Sequence, residues 1–183
     1  MSADPGVIAT ELHGLGIARI AARRGQAATV AEVLRTKLGV EPPNGPRRAG
    51  RGDVGICGIG ANTWIATREN AGNAFAESLQ SALGHCASVA DQSDAYVILR
   101  LTGPKVRATL AKLLPIDIHP RRFQVSDVAQ TVCGYVGVTL WRLEDTAQGG
   151  CAFDIWAGRS LALSLQHAIA QGAAEFGFVR QTV

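Results

Sequence analysis

The sequence predicts an α+β fold of two pseudo-repeated βαββαβ-like halves, each a mostly antiparallel sheet covered by helices. Three observations predict it. An amphipathic helix is written twice, as AGNAFAESLQSALG at 71–84 and AGRSLALSLQHAIA at 157–170, with seven of fourteen positions identical. The elements around both copies follow one order: strand, helix, hairpin, helix. Apolar residues make up 47% of the 183 residues, enough for a core shared by two halves that would be marginal alone. The chain is therefore expected to be a single domain over 1–183, with related halves at about 10–91 and 92–178 and a flexible Pro/Gly/Arg loop at 41–53.

The first half begins with GLGIARIAARRG, a strand running into a turn. In AATVAEVLRTKLG, Val30, Val33, Leu34 and Leu38 fall at helical spacing and Gly39 stands where a helix C-terminus favours it. VEPPNGPRRAGRGD follows as a loop by composition. VGICGI and TWIATR are short strands, and Gly60, Ala61 and Asn62 between them read as a hairpin turn. The first copy of the repeated helix puts Phe75, Leu79, Ala82 and Leu83 on one face, and CASVADQS closes the half as a strand.

The second half opens with DAYVILRLTG, where Ala95, Val97, Leu99 and Leu101 share one face and Tyr96, Ile98, Arg100 and Thr102 the other. PKVRATLAKLL is a helix with Pro104 in its first turn and Val106, Leu110, Leu113 and Leu114 as its buried stripe. PIDIHPRRFQVSD reads as an extended connection, and AQTVCGYVGVTLWRLED as a hairpin turning near Gly134 to Gly137. CAFDIW is a strand. The last helix runs through AGRSLALSLQHAIAQGAAEFG, with Leu161, Leu165, Ala168 and Ile169 inward.

Composition excludes several classes. The formal charge of +3 and 5% aromatics give little for a nucleic acid to hold or stack on. No stretch approaches the roughly 20 apolar residues of a membrane span, and MSADPGVIATELHG has no secretory pattern, so a cytoplasmic location is expected. Cys57, Cys86, Cys133 and Cys151 form no CxxC pair and fit reduced, buried thiols.

Candidate chemistry is sparse. GICGIG at 55–60 lacks the spacing and the following helix of a dinucleotide loop. RGD at 51–53 reads as a chance string in a basic loop. Arg47, Arg48 and Arg51 could together grip an acidic partner or a phosphate, or simply be solvated. None of His13, His85, His119 and His167 has a metal-binding neighbour at short spacing. Asp117 and His119, two apart in an extended segment followed by Arg121, could form a carboxylate–imidazole pair or a structural hydrogen bond. Arg159 and Ser160 replace Asn73 and Ala74 of the first helix copy, so an anion or partner held at a helix N-terminus is expected at the second copy.

The stretch 91–165, in DQSDAYVILRLTGPKVRATLAKLLPIDIHPRRF, AQT, GVTLWRL and FDIWAGRSLALSL, resembles the gamma subunits of heterotetrameric sarcosine oxidase. DQSD, LTGP, PIDIHP and RS in that order carry the resemblance. It implies a cytoplasmic, bacterial assembly that oxidatively demethylates sarcosine to glycine. It further implies partner alpha and beta subunits carrying FAD, FMN, NAD and a tetrahydrofolate site, and a small zinc-binding delta subunit. That family is in turn similar to the folate-binding domain of glycine-cleavage aminomethyltransferases, built from two related α/β halves. In those transferases an Asp on the second hairpin strand helps activate the folate-bound carbon. The matching stretch here, YVGVTLWRL, has no carboxylate between Thr131 and Leu143.

The resemblance therefore implies a noncatalytic subunit that supports assembly, with no catalytic, metal or cofactor-binding residue of its own. The interface or anion-binding candidates are Arg47, Arg48, Arg51, Asp117, His119, Arg121, Arg159 and Ser160. A stand-alone folate-dependent one-carbon transferase or folate-binding module is the alternative. A small-molecule sensor or interaction module is the third class.

Overall fold

The computed structural model describes residues 5–147 and 149–182, and the chain divides into two compact units. Strand β1 (Val7–Glu11) opens the described chain but belongs to the later unit, which joins the residues up to His13 with those from Ala95 onward.

The unit Gly14–Asp94 contains β2 (Gly16–Ala22), α1 (Ala27–Leu38), β3 (Arg48–Arg51), β4 (Val54–Gly60), β5 (Thr63–Arg68), α2 (Ala74–Leu83) and β6 (Ala87–Asp91). Its five strands pair antiparallel in the order β3-β4-β5-β2-β6. Side chains alternate along a strand, so one face of the sheet presents Ala18, Ile20, Ile56, Trp64 and Ala66 to the helices. Val30, Leu34 and Leu38 of α1 and Phe75, Leu79 and Leu83 of α2 complete that core. As the sequence predicts, Gly39 ends α1 in the left-handed region at φ 68°, its N–H returning to the Arg35 carbonyl. Ala82, predicted to face inward, is exposed.

The composition of 41–53 suggested a loop throughout, but Arg48–Arg51 forms β3 on β4. An edge strand needs ladder bonds on one side only, which a short polar segment can supply. The residues ahead of it are fastened as well: Trp64 Nε1 donates to the Pro43 carbonyl at 2.9 Å and Gly58 N–H to the Arg47 carbonyl at 2.9 Å. A Cβ on Gly58 would collide with the Gly45 carbonyl oxygen, so the glycine of GICGIG admits a backbone crossing over β4.

The later unit adds β7 (Tyr96–Gly103), α3 (Val106–Leu113), β8 (Val128–Cys133), β9 (Val136–Arg142), β10 (Cys151–Gly158), a 3-10 turn at Arg159–Leu161, α4 (Ala162–Ala173) and β11 (Phe178–Thr182). Its sheet runs β11-β1-β7-β10-β9-β8, antiparallel except for β1 beside β11. One face packs Val97, Leu99, Leu101, Leu140, Phe153 and Ile155 against Val106 and Leu110 of α3 and Leu165 and Ile169 of α4.

Set side by side, the units are one plan used twice. Each runs strand, helix, three strands, helix, strand, and β3-β4-β5-β2-β6 corresponds to β8-β9-β10-β7-β11 with β1 wedged between the last two. Among the described residues the architecture is α+β, with one antiparallel sheet, one mixed sheet and four α-helices, as predicted, but the earlier unit carries one strand more than βαββαβ and the later unit, with β1, two more. The last helix also starts later than expected. β10 continues through Gly158 and a 3-10 turn intervenes before Ala162. Three residues per turn rotate Leu161 off the α4 stripe, and it is exposed, while Ala168 is half-buried.

Candidate functional site

The three arginines of the basic segment do not form one grip. Arg48 and Arg51, three apart on β3, project to opposite faces of the sheet. The Arg48 guanidinium lies against Gly50 and Gly55, where a Cβ on Gly55 would come within 2.7 Å of Nη2. Arg51 lies beside Gly39, at the C-terminal end of α1 where the helix dipole favours a cation. Arg47 is exposed. Asp53 of RGD sits in a tight turn with Gly52 at φ 59°, and its carboxylate is 3.6 Å from Arg68.

Asp117 and His119 do come together, but through the backbone. Asp117 Oδ1 accepts the His119 N–H at 2.9 Å, and His119 Nδ1 accepts the Arg121 N–H at 3.3 Å. Both groups hold a surface turn, with all three residues exposed, and this is the structural one of the two readings the spacing allowed. Arg159 ties the 3-10 turn to β7: its N–H donates to the Ala95 carbonyl at 2.9 Å and Nη2 to the Tyr96 carbonyl at 3.0 Å. Ser160 beside it is exposed.

The sheet face away from α3 and α4, where the alternation of β7 places Tyr96 and Arg100, holds a polar–aromatic cluster whose other members no local sequence pattern marks. Arg100 on β7 and Asp154 on β10 stand opposite each other in the ladder, and Trp141 on β9 is the next neighbour across. Arg100 Nε and Nη2 donate to Asp154 Oδ1 and Oδ2 at 2.8 and 3.0 Å. Trp156 packs edge-on to Trp141 at 4.5 Å and 5.6 Å from Tyr96. The indole N–H groups of Trp141 and Trp156 are buried without an acceptor. Among the described residues no group of three or more His, Cys, Asp or Glu could hold a metal. Burial pushes the Cys133 thiol up to about 11, so it is no nucleophile at neutral pH.

On the helix-covered face a cleft of about 260 Å³ opens between α4 and the β1–β11 pair. Ala9, Leu99, Ile169, Ala170 and Phe178 form its apolar floor, and Leu163, His167 and Arg180 its rim. Glu11 braces one end, accepting from Gln166 Nε2 at 3.1 Å and Arg180 Nη2 at 3.0 Å. Its origin is topological: wedging β1 into the sheet makes six strands, yet only α3 and α4 cover them, as α1 and α2 cover five in the other unit.

These features sit in a chain with clear relatives. A sarcosine oxidase subunit gamma from Corynebacterium sp. (strain U-96) is 31% identical over 130 residues, 70% of this chain and 61% of the relative. One from Arthrobacter sp. is 38% identical over 72 residues, 39% of this chain and 36% of the relative. A heterotetrameric sarcosine oxidase from Corynebacterium sp. U-96, solved in complex with pyrrole 2-carboxylate, superposes at a TM-score of 0.82. It is 25% identical, over 96% of this chain and 88% of the matched one. This chain is a homologue of sarcosine oxidase gamma subunits. The matched stretches take in less than two thirds of the length of those curated relatives, and no family model matches. Aminomethyltransferase T of the glycine cleavage system from Bartonella henselae shares the fold, with a TM-score of 0.70 and 15% identity over 96% of this chain and 48% of that one.

The motifs behind the resemblance are joints of the fold. In DQSD, Ser93 Oγ accepts the Ile17 N–H at 3.0 Å and donates to Asp91 Oδ1 at 2.6 Å, locking β2. In LTGP, Gly103 at φ 130° lets the backbone pass against Gly6, whose carbonyl accepts the Lys105 N–H at 2.9 Å. In PIDIHP, buried Ile118 offers its carbonyl to Arg107 Nη1. The cleft was harder to foresee, because Glu11, Gln166 and Arg180 meet only once β1 and β11 pair. Leu163, an apolar residue off the Leu165/Ile169 stripe, was its one local signal.

Proposed function

We propose that this chain is a noncatalytic gamma-type subunit of a sarcosine oxidase. In this reading it supports assembly of the flavin-bearing subunits, which oxidatively demethylate sarcosine to glycine and pass the one-carbon unit to tetrahydrofolate. FAD, FMN, NAD, tetrahydrofolate and zinc belong to partner alpha, beta and delta subunits. The observation that carries this reading is the match to a chain of a heterotetrameric sarcosine oxidase over nearly the whole of both chains. The local chemistry supports it, since the one acid–imidazole pair suggested by sequence is engaged in a backbone turn.

The test is a tagged pull-down from the native host, followed by mass spectrometry and flavin absorbance. Larger flavin-bearing chains should be recovered, and the chain purified alone should be colourless and inactive on sarcosine. A yellow, active monomer overturns the proposal. The aminomethyltransferase-like fold favours one second reading, a folate-binding module. Titrating the isolated chain with a reduced folate separates the two, since saturable binding well below high micromolar concentration favours the module.

A further inference from the structure

Two features of the later unit coincide along one edge. β11 is the outermost strand of its sheet, and among the described residues nothing pairs with its outer side. Val179, Arg180 and Gln181 on it are exposed. A strand edge with unpaired N–H and C=O groups is a template for another extended segment. Beside it lies the cleft between α4 and the β1–β11 pair, apolar in its floor. At its rim, near the start of α4, Leu163 is 80% exposed.

We propose that this edge and cleft form the seat for an extended segment of a larger subunit. The segment pairs with the outer edge of β11 and places one apolar side chain in the cleft over Leu163. This rests on the subunit reading above and adds which surface meets the partner. Two points favour a polypeptide as occupant. At about 260 Å³ the cleft falls below the roughly 300–1,000 Å³ typical of drug-sized ligand pockets and suits a single side chain. The ladder groups of β11 have the geometry of a peptide backbone, and Arg180, bonded to Glu11 at 3.0 Å yet half-exposed, adds donors for a carbonyl or carboxylate beside the inserted residue.

The experiment compares co-purification of the wild-type chain with its oxidase partners against three variants. Leu163→Asp puts a charge where the apolar contact forms. Arg180→Pro removes a backbone donor from β11; Val7 N–H bonds the Gly177 carbonyl, so the register turns the Arg180 N–H outward. Tyr135→Ser alters an exposed residue at the β8–β9 turn, remote in sequence from this edge. Circular dichroism melts of each variant alone report on folding. Leu163→Asp should fold like the wild type, and Arg180→Pro, which also loses the ion pair to Glu11, should melt lower but remain folded at the assay temperature; both should lose at least about tenfold in partner affinity, while Tyr135→Ser binds as wild type. If the wild type recovers its partners and both edge variants do so equally well, the docking site is wrong and the subunit reading stands. If the wild type recovers no oxidase subunit, both fall.

Discussion

Replacing Arg100 by leucine should damage the fold more than replacing Asp154, although the two form a single pair. The Asp154 side chain is 4% exposed, and both its oxygens accept from the Arg100 guanidinium, which is 36% exposed. Arg100→Leu therefore leaves a buried carboxylate without its two charged donors, a loss of about 3–5 kcal/mol by the cost of orphaning one partner of a buried ion pair. Asp154→Leu leaves a guanidinium that water already reaches, and the loss should be about 1–2 kcal/mol. The double variant removes both charges and should lie closer to wild type than Arg100→Leu does, because apolar replacement of a whole pair is often near neutral. Urea titrations followed by circular dichroism and by the fluorescence of neighbouring Trp141 and Trp156 give the four values of the cycle. Equal losses for the two single variants, or additive losses in the double, would refute the reasoning.

Gly103→Ala forces a side chain at φ 130° and sets a Cβ 2.5 Å from the Gly6 carbonyl oxygen; a loss of about 2 kcal/mol or more, read as a melting point lower by about 4–8 °C, is expected. Ser93→Ala takes the acceptor from the Ile17 N–H and the hydroxyl from Asp91, and should cost about 1–2 kcal/mol in the same melt. Cys133 should resist a thiol reagent at pH 8 until the chain unfolds. Its folded pKa is raised from 9.0 to about 11, so the stability tied to the neutral thiol is complete below pH 9 and is lost as pH rises from there towards 11, which urea midpoints across that range will follow.

Much of the fold was legible because both periodicities were. Val30, Leu34 and Leu38 at helical spacing, and Val97, Leu99 and Leu101 in alternation, lie in the two cores where those patterns place them. The repeated helix identified the duplicated plan. β3 was hidden because RAGR carries no apolar alternation, and an edge strand takes its order from its partner rather than from its own residues. The repeat held the missing hint, since β8 in the later half has no counterpart in the earlier one unless 41–53 contains a strand. Local reading also failed for Leu161, where helical spacing was assumed through a 3-10 turn. The cleft needed tertiary pairing between the first and last strands, which periodicity cannot report. Arg100 and Asp154 were visible as residues, but only the ladder register makes them opposite.

The wedging of β1 between β7 and β11 also sets an order of events during synthesis. Val7 pairs with Phe178, so although β1 can pair with β7 earlier, its β11 side stays open until a strand about 170 residues further along is made, and that loop closure falls late in folding. The unit Gly14–Asp94 closes on itself and has all its strands as soon as β6 is made. Until β11 arrives, β1 and β7 expose apolar residues that end in the core, Val7, Ala9, Leu99 and Leu101 among them. The nascent chain is thus most open to aggregation, or to capture by a chaperone, in the interval between completion of the unit Gly14–Asp94 and delivery of β11.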